Sequence, residues 1–136
     1  MNYLNSKKPD YIIGEKMEKI KITKPELAVN DFKKKVERNF REQIESIILF
    51  GSVARNEYSI NSDIDVLVIT QDDKPELAKE IIGIGFEELL NNGWYVSAKV
   101  IDKKRFTHLL SLETPFIKNI LKEGVLIYGK DFRKSK

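Results

Sequence analysis

Two short apolar runs joined by a polar loop constrain this chain more than any other feature. Residues 47–50 (Ile-Ile-Leu-Phe) stop abruptly at Gly51, and residues 64–69 (Ile-Asp-Val-Leu-Val-Ile) open on the pair Asp63 and Asp65. Both runs are too short and too β-branched for helices, so both are expected as buried strands bounded by turns. Alternation along a strand puts Asp63 and Asp65 on one face. Two carboxylates so placed repel each other, and a divalent cation relieves them; Mg2+ takes one or two carboxylates together with phosphate oxygens. Upstream, Gly51-Ser52 follows the first strand and precedes a helix-like stretch, Val53 to Glu57. Such a turn offers backbone N–H groups and a hydroxyl to an anion. Only ten residues separate Ser52 from Asp63, so anion cradle and metal pair are expected over one pocket. That is the outline of a nucleoside triphosphate site.

Gly51-Ser52, the ten-residue spacing and Asp63-Ile64-Asp65 resemble the signature of the DNA polymerase β-type nucleotidyltransferase superfamily. More narrowly, the stretch resembles the minimal nucleotidyltransferases, small proteins often paired with a HEPN-domain partner. Leu49-Phe50 before the Gly-Ser pair, Ala54-Arg55 after it and Ser62 directly before the first Asp extend the likeness, which occupies residues 47–70 of 136. The resemblance implies an α/β (α+β) fold, a small mixed β-sheet packed with helices. It implies that Gly51, Ser52, Arg55 and Ser62 bind nucleotide, and that Asp63 and Asp65 are catalytic and hold Mg2+. The reaction implied is transfer of AMP from ATP, or of another nucleoside monophosphate, to an acceptor hydroxyl. A tyrosine of a HEPN toxin is one such acceptor, which would make this chain an antitoxin.

The superfamily usually draws a third carboxylate from the strand after the long helix, to activate the attacking hydroxyl as a base or through a second metal. Here that strand reads Tyr95-Val96-Ser97-Ala98-Lys99-Val100-Ile101, and neither Ser97 nor Lys99 is an acid. Asp102 sits at the far end and reads as an N-cap for the following helix. Lys99 could ion-pair with Asp63 or Asp65 or contact a phosphate. Val53 and Asn56 also depart, standing where a basic residue and a glycine are common. The alternative function is therefore a catalytically degenerate nucleotide- or partner-binding regulatory module.

The remaining chain fits one α/β domain. It divides into an N-terminal extension (1–30), a nucleotidyltransferase domain (31–130) and a polar tail (131–136). Tyr11, Ile12, Ile13, Met17, Ile20 and Ile22 suggest a hairpin or edge strand in the extension. Lys24-Pro25-Glu26 opens a helix with Leu27, Phe32, Val36, Phe40 and Ile44 on its apolar stripe and a break near Asn30-Asp31. Lys33, Lys34, Lys35 and Arg38 are expected to face water. Glu76 to Asn91 reads as a well-buried helix despite Gly83 and Gly85, which close packing on a neighbour would explain. Trp94 to Ile101 is a strand, Lys103 to Leu112 and Phe116 to Glu123 are helices, and Val125 to Gly129 is the last strand.

Ten Lys/Arg against six Asp/Glu in residues 1–40 place the whole basic excess of this +3 chain at its N-terminal end. A solvated helix face accounts for that excess, so a nucleic-acid partner is not expected. There is no cysteine and one histidine, His108, which excludes thiolate chemistry and a His-based metal cluster. No apolar run is long enough to span a bilayer and no signal-peptide h-region follows Met1, so a cytoplasmic location is expected. Oligomerisation is left open.

Overall fold

The computed structural model describes residues 24–134; the strand or hairpin expected between Tyr11 and Ile22 lies outside the described residues. Strand β1 (Ile44–Phe50) occupies the middle of a four-stranded sheet. It pairs antiparallel with β2 (Ile64–Thr70) on one side and with β4 (Val125–Gly129) on the other. Strand β3 (Val96–Asp102) adds to β2 in parallel, giving the order β3-β2-β1-β4. A parallel pair needs a long crossover, and α3 (Pro75–Asn92) provides it.

Helices cover both faces, and for that reason the central strands read as continuous apolar runs rather than alternating ones. Ile47, Val66 and Val68 pack with Ala28, Phe32 and Val36 of α1 (Pro25–Phe40) and Ile81 of α3. Their neighbours Ile48, Leu67 and Ile69 point the other way. They meet Phe106 of α4 (Lys103–Leu112) and Ile117 and Ile120 of α5 (Pro115–Glu123). One helical turn, α2 (Gly51–Ala54), follows β1. The Asp102 carboxylate accepts from the Arg105 N–H at 3.1 Å, the N-cap expected of it. Thr114 caps α5 in the same way through Ile117 N–H. Among the described residues no helix is long and apolar enough to cross a membrane.

Several expectations need correction. Helix α1 runs unbroken through Asn30-Asp31 because Ala28, Val29 and Phe32 are all buried, and tertiary packing overrides weak local propensity. The stripe is also shifted: Leu27 is exposed and Ile44 belongs to β1. Phe132, expected in the polar tail, lies in the core against Phe106. The Arg133 guanidinium anchors it there by donating to the carbonyls of Leu121 and Gly124 near the end of α5. Helix α3 buries only one side: Ile82, Phe86, Leu89 and Leu90 are exposed. Lastly, Lys35 does not simply face water.

The two glycines of α3 separate cleanly. A Cβ on Gly85 would strike the carbonyl of Val96, whereas Gly83 has open space. Gly85 is the close approach of helix to β3; Gly83 is not. Gly83→Ala should stabilise the protein by up to about 1 kcal/mol, and Gly85→Ala should destabilise it by about 1–3 kcal/mol, both read from urea midpoints.

Lys35 bridges α1 to α3. Its ammonium lies 3.1 Å from Asp31 and 3.5 Å from Glu88, a carboxylate with no solvent exposure. Asn92 donates to the other oxygen of Glu88. Burial and a hydrogen bond shared with Asp31 push the Glu88 carboxyl from 4.5 up to about 7, and the same hydrogen bond holds Asp31 below its ordinary value. Because the folded chain keeps the Glu88 proton that the unfolded chain gives up, stability should fall as pH rises from about 4.5 to about 7. Glu88→Gln should remove that slope, so denaturation midpoints of variant and parent should diverge between pH 5 and pH 8 in favour of the variant at the higher pH.

Candidate functional site

The site forms where β1 hands over to α2. Phe50 ends the strand in extended conformation, and Gly51 then turns the chain at φ +79°. One helical turn follows, closed by Arg55 N–H on the Gly51 carbonyl (3.1 Å) and Glu57 N–H on the Ser52 carbonyl (2.8 Å). Asn56 leaves the turn at φ 60°. This is a left-handed position where glycine is easiest and asparagine is tolerated, which explains the residue found there. The loop to β2 is held by Tyr58, edge-on to the buried Trp94 at 5.8 Å. Ser62 tightens the loop further, its hydroxyl accepting from Ser59 N–H at 2.9 Å.

The antiparallel register then brings the two halves of the motif together. Phe50 is paired with Asp65, so Gly51 falls directly against that carboxylate. A side chain on Gly51 would collide with an Asp65 carboxylate oxygen and come within 3.2 Å of its Cβ. Turn and carboxylate pair thus share one place. Asp63 is exposed and Asp65 half-buried. Burial first, then repulsion by Asp63, holds the Asp65 carboxyl above its ordinary value, while Lys99 and Arg55 pull it back down. A cation beside the two carboxylates would relieve the repulsion between them. The donor set is all oxygen and suits a hard ion such as Mg2+ over metals that need nitrogen or sulfur.

The parallel register identifies what stands beside the pair on β3. Ser97 is the partner of Asp65, and Lys99 that of Leu67, one pleat further along. Among the described residues no group of three or more His, Cys, Asp or Glu is placed to hold a metal. Lys99 forms no ion pair within 4 Å with another described residue, Asp63 and Asp65 included. Arg55 differs: its guanidinium spans Glu57 (2.9 Å) and Glu123 at the end of α5 (2.8 Å). Of the residues singled out from sequence, Gly51 and Asp65 meet directly, and Asp63 and Arg55 act on Asp65 electrostatically. Ser52 lies within the turn, and the Ser62 hydroxyl serves the loop. Glu123 escaped notice because 68 residues separate it from Arg55, with no local pattern joining them. Phe50 and Phe116, edge-on at 5.7 Å, were likewise unforeseen beside the site; Phe50 shares the sheet face of Asp65.

Comparison with known proteins agrees with this geometry. Residues 29–127 match the sequence profile of a family described as the nucleotidyltransferase domain. A protein of Methanocaldococcus jannaschii, provisionally named a protein adenylyltransferase, is 32% identical over 103 residues, which is 76% of this chain and 97% of that one. Among solved structures, a toxin–antitoxin with AMP-PNP superposes with a TM-score of 0.51 at 22% identity, covering 74% of this chain and 73% of the other. A second is the tri-AMPylated Shewanella oneidensis HEPN toxin in complex with MNT antitoxin. It gives a TM-score of 0.50 at 18% identity, over 79% and 74% of the two chains. At these identities the structural likeness establishes a shared fold.

Proposed function

This chain belongs to the nucleotidyltransferase domain family, and from that membership we propose that it transfers AMP from ATP to a hydroxyl on a partner protein. The partner we favour is a HEPN-type toxin modified on tyrosine, with this chain as its antitoxin. One observation carries the reading: Gly51 packed against the Asp65 carboxylate, which joins phosphate turn and carboxylate pair in one site. In this reading the turn at Gly51 and Ser52 receives the triphosphate through backbone N–H groups and the serine hydroxyl. Asp63 and Asp65 would hold Mg2+, which neutralises charge on the triphosphate. Arg55, held by Glu57 and Glu123, would contribute only a secondary electrostatic effect, as it does on Asp65. The acceptor oxygen bonds to the α-phosphorus as the bond to pyrophosphate breaks, and its proton passes to water.

The acceptor class is supported by two features. With Ser97 where an acid would activate the hydroxyl, a phenol that ionises near pH 10 is a better acceptor than an alcohol. The exposed stripe of Ile82, Phe86, Leu89 and Leu90 on α3 offers a protein partner an apolar surface. A cytoplasmic location accords with the need for ATP. The test is incubation with radiolabelled ATP and a HEPN-type toxin co-expressed with the protein, followed by mass spectrometry of the toxin. AMP on a tyrosine, lost with Asp63→Asn, is the expected result; an unmodified toxin with the wild-type protein would contradict it.

A second reading rests on the same Ser97. A module that binds nucleotide or partner without catalysis would keep its partner affinity in Asp63→Ala and label nothing.

A further inference from the structure

Asp63 and Asp65 suffice for one hard cation, and β3 brings no third acid to them. Ser97, the direct partner of Asp65, carries a neutral hydroxyl. The same strand instead brings a cation. Alternation puts Lys99 on the sheet face of Ser97 and Asp65, and its side chain is exposed on the edge strand. Its pairing residue Leu67 is wholly buried, so Asp65 is the polar group nearest along that face of β2. Lys99 is also uncommitted among the described residues, unlike Arg55 with its two glutamates.

We infer that this site works with a single divalent cation and that the Lys99 ammonium stands in place of a second, meeting the triphosphate oxygens beside Asp65. The inference rests on the nucleotidyltransferase reading above. A second Mg2+ demands oxygen anions and near-octahedral geometry, and here it would find a serine hydroxyl and a like charge. A lysine does the electrostatic part of that task as a compact point charge on a flexible stem with three donors. It cannot do the other part, generating a metal-bound nucleophile. The substitution therefore keeps triphosphate binding strong while leaving hydroxyl activation to the acceptor's own acidity.

The test counts metal ions rather than turnovers. Mn2+ is titrated by electron paramagnetic resonance into the protein carrying one equivalent of AMP-PNP. One bound Mn2+ per wild-type chain is expected, and two in the double variant Ser97→Asp/Lys99→Ser. Lys99→Met should still bind one ion but hold AMP-PNP roughly tenfold or more weakly, the loss of a charge-assisted contact. Thermal melts establish that each variant is folded. Two ions on the wild type, or undiminished AMP-PNP affinity in Lys99→Met, would overturn the inference while leaving the nucleotide site in place. Wild-type protein that binds no AMP-PNP would overturn both this inference and the reading beneath it.

Discussion

Gly51→Val is expected to abolish ATP binding and to cost the fold about 2–5 kcal/mol, the combined scale of backbone strain and overpacking. Two effects add at this position. The backbone there adopts φ +79°, which a β-branched side chain resists strongly. The space a Cβ would need is already filled by the carboxylate and Cβ of Asp65. Relaxation would have to move Asp65, one of the two carboxylates proposed to hold the metal. Gly93 provides the control, since it has nearly the same φ, +80°, but open space around it. Gly93→Ala should show only the cost of strain, about 1 kcal/mol, and leave nucleotide binding intact. In an Asp65→Ala background the penalty of Gly51→Ala should shrink towards that of Gly93→Ala, with only the 3.2 Å contact to the remaining Cβ of residue 65 left, because residues in contact are not additive. Equal penalties in both backgrounds would mean that turn and carboxylate are not packed together. Urea denaturation of the five variants measures the stabilities, and calorimetric titration with ATP of Gly51→Val and Gly93→Ala measures the binding.

Asp65→Asn is expected to lower AMP transfer by about 10²–10³-fold or more, the scale on which loss of a key electrostatic group acts, and at the same time to raise thermal stability. The two directions follow from one cause. Burial and the neighbouring Asp63 hold the Asp65 carboxyl above its ordinary 3.8, so the folded chain is penalised for carrying that charge at neutral pH. Stability from this group is fully present below 3.8 and is lost as pH rises through the elevated folded value. A neutral amide escapes that loss. The gain in melting temperature should therefore be larger at pH 7 than at pH 4. Asp63→Asn should match the catalytic loss while lowering the Asp65 carboxyl, whose second source of repulsion is gone. A melting temperature for Asp65→Asn below that of the parent at pH 7 would mean that the pair is not strained.

These two experiments concern the part of the chain that sequence reveals best. Strands β1 and β2 announce themselves because sheets covered on both faces leave uninterrupted apolar runs, and the Gly-Ser turn and Asp pair sit at their ends. Asp102 and Gly93 are equally visible, since an N-cap acid and a left-handed glycine mark helix ends by local chemistry. What stayed hidden is long-range. Nothing near Asn30-Asp31 says that Ala28 and Phe32 will be buried and carry the helix through. Phe132, set among Lys, Asp and Arg, reads as tail until α4 and α5 enclose it. Lys35 looks like one more solvated lysine until α3 presents Glu88 to it. The register of β3 on β2 is the plainest case. Sequence leaves Ser97 and Lys99 as equal candidates for the place beside the aspartates, because a parallel strand arrives through an 18-residue helix that does not encode register. The pairing of Ser97 with Asp65 separates them, and the chemistry proposed for Lys99 depends on that separation.

The most direct measurement is calorimetric titration of ATP into the folded protein with Mg2+, without it, and with Asp63→Asn/Asp65→Asn. Binding that requires Mg2+ and disappears in the double variant is the expected result, and it would place the triphosphate at the junction of the Gly51 turn and the carboxylate pair. Binding that persists unchanged without Mg2+ or in the double variant, or no binding by the wild type, would contradict a nucleotide site built on those residues.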